Sequence, residues 1–391
     1  MSSDKIRVFI VDDSSVFVKF LSENLPKEDS KIEIVGYAMN ATEAMRKIPV
    51  IKPDVVTLDV EMPKTNGIEF LKELLPKFLV PVILVSSVNV TVFDALANGA
   101  VDFVKKPDLS RNYSAKIFIT NLVNKIAIAS KATVKLPHSF TGGRQTTTQT
   151  PMVRPAINSR VPGASKPQGN LSPDTRAAST SGSGIILPGG MRITGSKSQM
   201  DSLVIALGAS TGGTEATLQV LQQLPADTPG MVITQHMPEG FTGMYSQRLN
   251  RLCKMEVKEA ADGDVITRGR VLIAPGGNRH MKVVKLGGHY TVNLFTAEKV
   301  NGHCPAVDVL FRSVAQTVKS NAVGIILTGM GQDGAYGLLE MRKAGAYTIG
   351  QNKESCVVYG MPMVAQNIGA VAIQAPCETI PNVLVNYLNK L

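Results

Sequence analysis

The chain has 391 residues, a net charge of +10 and 44% hydrophobic residues. That is too long for one ordinary core and enough for two or three globular domains. No run of about 18 apolar residues occurs, and MSSDKIRVFIVDDSS ends its short apolar stretch in two aspartates, unlike a signal peptide. The expectation is a cytoplasmic protein that is not membrane-embedded.

Four cysteines (Cys253, Cys304, Cys356, Cys377) lack C-x-x-C spacing. Free thiols are expected, with no oxidising compartment and no zinc site. Residues 131–199 hold nine basic side chains against one acid, Asp174, and so carry eight of the ten net positive charges. The charge lies in one segment without interleaved aromatics, which speaks against a nucleic-acid partner.

Residues 1–130 alternate apolar runs with amphipathic stretches. KIRVFIVDD, KIEIVGYA, PDVVTLDV, VPVILVSS and VDFVKKP read as five strands, with helices such as SVFVKFLSENL between them. This predicts a doubly wound parallel sheet of flavodoxin-like type, whose ligands bind beyond the carboxyl ends of the strands. Residues 131–199, rich in Ser, Thr, Pro and Gly (TGGRQTTTQTPM, AASTSGSG), keep no apolar period and read as a flexible basic linker. Residues 200–391 return to alternation in DSLVIALGAS, GMVITQHMP, GRVLIAPGG, AVGIILTGMGQDG and AGAYTIGQ. They predict a second, Rossmann-like α/β domain, to which GHYTVNLF adds an edge strand or hairpin.

In the front domain Asp12 and Asp13 follow the first strand, Asp59 ends the third, Ser86 ends the fourth and Lys106 ends the fifth. A parallel sheet brings all five to one edge. Clustered carboxylates repel, and a hard cation with oxygen ligands, Mg²⁺, relieves that repulsion. One carboxylate can then attack a phosphoryl group, with Lys106 and Ser86 meeting its oxygens. The bland alternative is a set of solvated loop acids.

In the back domain the strand before GASTGG delivers Ser210 into a turn that opens a helix, where amides can hold an oxyanion. A serine nucleophile needs a base and an orienting carboxylate. Of the five histidines, His138 falls in the linker, and His280, His289 and His303 sit near Gly-rich or turn segments. His236 directly follows a strand, and Asp333 follows another on the same edge. Each taken singly also reads as an ordinary turn or strand-end residue. GASTG matches a nucleophile elbow, but the order Ser, His, Asp departs from that of α/β-hydrolases. GMGQDG matches a dinucleotide fingerprint, which keeps a nicotinamide enzyme as an alternative, although Asp333 would face the pyrophosphate. Cys304 beside His303 reads as a cleft or structural residue. A DNA-binding output domain would need a helix-turn-helix, which the Gly-rich, strand-alternating pattern does not offer.

VDDSS, LDVEMPKTNG, VSS and VDFVKKP resemble the response-regulator receiver family. The resemblance implies Asp59 as phosphoacceptor, Asp12, Asp13 and Asp59 with the Glu61 carbonyl as Mg²⁺ ligands, and Ser86, Lys106 and Phe103 as switch residues. For Phe103 a plain packing role is an equal reading. GASTGG, TQHMPEGFT, IAPGGNRHM, PAVDVLFRSVA and ILTGMGQDGA are similar to chemotaxis-type protein-glutamate methylesterases, which share the order receiver, linker, catalytic domain. That resemblance implies a Ser210–His236–Asp333 triad, an oxyanion amide at Met330, and Thr211 flanking the nucleophile. It further implies hydrolysis of glutamyl methyl esters on methyl-accepting chemoreceptors, often with deamidation of receptor glutamines. A chemotaxis-type histidine kinase is the implied phosphodonor, and the esterase step needs no cofactor. The linker is longer and more basic than the family leads one to expect.

Overall fold

A computed structural model describes residues 5–62, 67–86, 91–107, 112–134, 136 and 191–391. The first unit carries strands β1 (Ile6–Val11), β2 (Ile32–Ala38), β3 (Val55–Asp59), β4 (Val82–Ser86) and β5 (Asp102–Lys105). They pair in parallel in the order β2-β1-β3-β4-β5. Helices α1 (Ser15–Glu28), α2 (Ala41–Ile51), α3 (Gly67–Leu74), α4 (Thr91–Ala97) and α5 (Asn112–Ala129) complete it. Every residue of β3 and β4 is buried, as expected for strands covered on both faces, whose sequences are continuous apolar runs. Ser14 caps α1 by accepting the Phe17 N–H, which turns the chain sharply after Asp12 and Asp13.

The second unit is built on β6 (Val204–Ala209), β7 (Gly230–Gln235), β8 (Glu256–Glu259), β9 (Arg270–Ile273), β12 (Ala322–Ile326), β13 (Tyr347–Gln351) and β14 (Ile373–Ala375). These make one parallel sheet in the order β14-β13-β12-β6-β7-β9-β8. Helices α6 (Lys197–Ser202), α7 (Gly213–Leu221), α8 (Phe241–Leu252), α9 (Val307–Thr317), α10 (Ala335–Lys343), α11 (Met361–Asn367) and α12 (Ile380–Leu388) flank it. The expected segment GHYTVNLF is a hairpin arm: β11 (His289–Thr296) pairs antiparallel with β10 (Arg279–Leu286). Gly287 and Gly288, both at positive φ, make its turn.

Two edge strands escaped the sequence pattern. β8 is the charged tetrapeptide EVKE and β14 has three residues, too short to show a period. His280 lies within β10, fully buried, with Nε2 bonded to the Glu298 carbonyl and Nδ1 accepting the Ala306 N–H. It is therefore a satisfied core residue and not a turn histidine.

The sheet order reverses between β1 and β3 in the first unit and between β6 and β12 in the second. Ligand crevices of open α/β sheets form at such points. The expected linker is folded at its described ends. Thr133 N–H donates to Val357 O at 2.9 Å, and Thr194 N–H and Arg192 O both bond the Asn389 side chain. The rest of it, with His138, lies outside the described residues. Among the described residues no helix is long and apolar enough to cross a membrane, and all four cysteines are free.

Candidate functional site

The front cluster forms as the strand ends predict. Asp12, Asp13 and Asp59 place carboxylate oxygens within 4.8 Å of one another. Lys106 Nζ bridges Asp59 at 2.6 Å and Asp12 at 2.9 Å. Ser14 N–H donates to Asp12 Oδ1, and Glu61 N–H to Asp59 Oδ1, each at 3.0 Å. Burial pushes the Asp12 carboxyl up from its ordinary value, against the opposing pull of Lys106. Burial alone would depress the Lys106 ammonium, but its bonds to Asp59 and Asp12 outweigh this and hold it up. The Ser86 hydroxyl is buried with no hydrogen-bond partner among the described residues, a group left over for an incoming oxygen. An all-oxygen donor set beside a lysine suits Mg²⁺ and a phosphoryl group.

The back site sits at the reversal of the second sheet. Ser210 follows β6, with its N–H donating to Thr328 O beyond β12. His236 follows β7, and its N–H donates to Ala209 O at 3.1 Å, carrying the strand ladder one residue further. The Gln235 amide donates to the carbonyls of Ser210 at 2.9 Å and His236 at 3.3 Å. These bonds hold Ser210 and His236 side by side on adjacent strands.

Asp333 lies in the loop after β12 and is 1% exposed. Its Oδ2 accepts His236 Nε2 at 2.8 Å and Val307 N–H at 2.7 Å. Its Oδ1 accepts the Asn301 amide at 2.9 Å and Asp308 N–H at 3.1 Å. Ala306 gives α9 no side-chain cap, so the Asp333 carboxylate serves as the anion at that helix's N-terminus. Burial would raise Asp333, yet the bond and charge of His236 together with Asn301 and Val307 hold it well below the usual carboxylate range. Because Nε2 faces Asp333, Nδ1 is the nitrogen left for Ser210. It is buried and takes no hydrogen bond among the described residues.

The loop Gly329–Gly334 passes close to the serine. A Cβ on Gly329 would meet Met361 Sδ at 2.3 Å and Ser210 Cβ at 2.7 Å, so only glycine lets this loop approach. Gly329 N–H is spent on Val358 O. Met330 follows, 37% exposed. Gly212, at φ 76°, starts α7. Within the GMGQDG segment Asp333 is thus buried and bonded to His236.

The two sites are joined by contacts between the units. Thr211 Oγ1 donates to Asp102 Oδ2 at 2.6 Å, and Lys125 Nζ lies 2.6 Å from Asp102 Oδ1. Phe103 packs on Phe241 with ring centres 4.6 Å apart and planes tilted by 46°, and Phe93 stacks on Tyr245 at 5.6 Å. Thr211, expected beside the nucleophile, therefore has its hydroxyl occupied by the front unit, and Phe103 is an interface residue as well as a switch candidate.

Four participants carried no signal strong enough to be singled out: Asn301, Asp308, Gln235 and Asp102. His303, set aside as a cleft or structural residue, lies flat on His236. The Asn-Gly pair at 301–302 was a readable turn signal, but nothing in it names its target.

Comparisons with known proteins give the family. The family model described as response regulator receiver domain matches residues 8–116, and that described as CheB methylesterase matches residues 205–384. A protein-glutamate methylesterase/protein-glutamine glutaminase 2 of Syntrophomonas wolfei is 47% identical over 388 residues, covering 99% of each chain. A protein of the same name, without the numeral, from Sulfurimonas denitrificans is 42% identical, covering 98% of this chain and 99% of its own. The crystal structure of the Thermotoga maritima CheB methylesterase catalytic domain is 35% identical, covers 47% of this chain and 98% of that one, and superposes with a TM-score of 0.46. With a receiver-type phosphorylation cluster, a serine–histidine–aspartate edge and full-length relatives at this identity, the chain belongs to the protein-glutamate methylesterase/protein-glutamine glutaminase family.

Proposed function

We propose that this chain removes methyl groups from glutamyl methyl esters of methyl-accepting chemoreceptors and deamidates receptor glutamines, under control of phosphorylation at Asp59. The observation that carries the reading is His236: one ring nitrogen is fixed on a four-times-bonded Asp333, and the other is left without a partner among the described residues, on the strand edge beside Ser210. Ser210 Oγ attacks the ester carbonyl and gives its proton to His236. The oxyanion meets the Met330 amide, the C–O bond breaks, and methanol leaves with that proton. Water then attacks the glutamyl–Ser210 ester, gives one proton to His236, and the collapse returns it to Ser210 and frees the glutamate. A glutamine side chain follows the same path with ammonia leaving. The hydrolysis itself uses no cofactor. Measuring methanol from methylated receptor and ammonia from its glutamines tests the reading. One protein should yield both products, and yielding neither would overturn it.

Control by the front unit follows from the contacts between the two. The receiver holds Thr211, the residue after the nucleophile, and covers α8 through Phe103. In this arrangement it restricts the serine turn, and phosphorylation at Asp59 weakens the docking through Lys106, Ser86 and Phe103. Asp12, Asp13, Asp59 and the Glu61 carbonyl would hold Mg²⁺, which would neutralise charge during phosphoryl transfer from a chemotaxis-type histidine kinase. Asp102→Ala removes a charge-assisted bond worth roughly 1.5–3 kcal/mol without touching the triad. Its methanol release without a phosphodonor should rise, with the lost bond capping the increase at roughly 10- to 150-fold. Unchanged basal activity would contradict docking control.

A further inference from the structure

The turn Val300–His303 supplies Asn301 to the Asp333 network, but its His303 has no role in the hydrolysis described above. Val300 and His303 exchange backbone hydrogen bonds at 3.0 and 2.9 Å. Between them Asn301 and Gly302 both have positive φ, 52° and 81°, the signature of a two-residue hairpin turn for which Asn-Gly is the preferred pair. Such a turn has one tight geometry, so the side chains at its ends are aimed with little freedom. Asn301 reaches inward, and its amide nitrogen donates to Asp333 at 2.9 Å and Asp308 at 2.8 Å. His303 lies flat on His236, with ring centres 3.6 Å apart and planes 9° from parallel.

We infer that His303 is a positioning residue for the catalytic reaction: a neutral, flat plate that fixes the plane of the His236 imidazole and shields its face from water. Among the described residues the His236 ring makes one hydrogen bond, at its edge to Asp333, about which an imidazole can still tilt. A parallel ring at van der Waals distance removes that tilt and keeps Nδ1 directed to the serine edge. Tilts of this kind matter because a proton-transfer partner displaced by about 1 Å can cost about 10²-fold in rate. The plate must stay uncharged, since two stacked imidazolium rings repel. Burial and the nearby charge of His236 push the His303 imidazole down to about 4, so the proton taken from Ser210 rests on His236.

The inference rests on the Ser210–His236–Asp333 reading, and the test separates the two. His303→Ala and His303→Phe are made in the full chain, with Ser210→Ala as the inactive control. Two rates are measured for each: methanol release from methylated receptor, and labelling of Ser210 by a fluorophosphonate, which needs an activated serine but no receptor. His303→Ala should lower kcat by about 10- to 100-fold with KM within about twofold. His303→Phe, flat but unable to carry a proton, should recover most of that loss and keep the wild-type acid limb of the pH profile. Fluorophosphonate labelling should follow the same order. Wild-type kcat in the Ala variant, a loss confined to KM, or a Phe variant no better than Ala would overturn the inference. Labelling that follows the predicted order in a protein releasing no methanol would uphold it and reject the receptor-ester reading alone.

Discussion

Ser210→Ala is expected to lower methanol release from methylated receptor by at least about 10³-fold, because losing the nucleophile removes the covalent route and leaves only binding and oxyanion contacts. The fold should survive. Ser210 is held through its backbone, by its N–H to Thr328 O and its carbonyl from the Gln235 amide, and both bonds persist in alanine. Binding of receptor should be little changed, so the loss falls on kcat. A variant retaining more than roughly a tenth of wild-type turnover would place the nucleophile elsewhere. An unchanged thermal midpoint in the same preparation separates lost chemistry from lost structure.

The second large effect is at the other site. Asp59→Asn should take up no label from a small phosphodonor, because the amide is not a nucleophile and cannot complete the oxygen cluster with Asp12 and Asp13. Removing divalent cations with EDTA should block labelling of the wild type equally, since three clustered carboxylates would otherwise face a phosphoryl dianion. Basal methanol release should continue in EDTA, as hydrolysis at Ser210 is proposed to need no metal. Normal labelling of the Asn variant would move the phosphoacceptor to another residue. Loss of basal hydrolysis in EDTA would put a metal into the esterase step.

Much of this architecture can be read from sequence because parallel sheets impose a simple rule. Residues just past the strands share one edge, so Asp12, Asp59 and Lys106, like Ser210, His236 and Asp333, could be grouped by counting strand ends. Asn301 and His303 could not be grouped that way. They reach the triad from a hairpin turn outside the sheet, and a turn signal specifies local geometry without specifying what it packs against. Asp308 was hidden because its carboxylate is used within α9's N-terminal network and shows no pattern beyond an acidic first turn. The bond from Thr211 to Asp102 joins two units across a long separation in sequence, and a single polar contact leaves no periodic trace. The edge strands β8 and β14 were missed for a different reason: with one face open and three or four residues each, they lack both the apolar run and the alternation that mark a strand.

The central claim is that phosphorylation at Asp59 governs hydrolysis at Ser210 through the docked receiver. The most direct test is the rate of methanol release from methylated receptor by the full-length wild type, with Mg²⁺, before and after addition of a small phosphodonor, with Asp59→Asn run in parallel. The account predicts a rise in rate in the wild type, no rise in Asp59→Asn, and equal basal rates in the two. Equal rates with and without phosphodonor in a protein shown to be phosphorylated at Asp59 would contradict it.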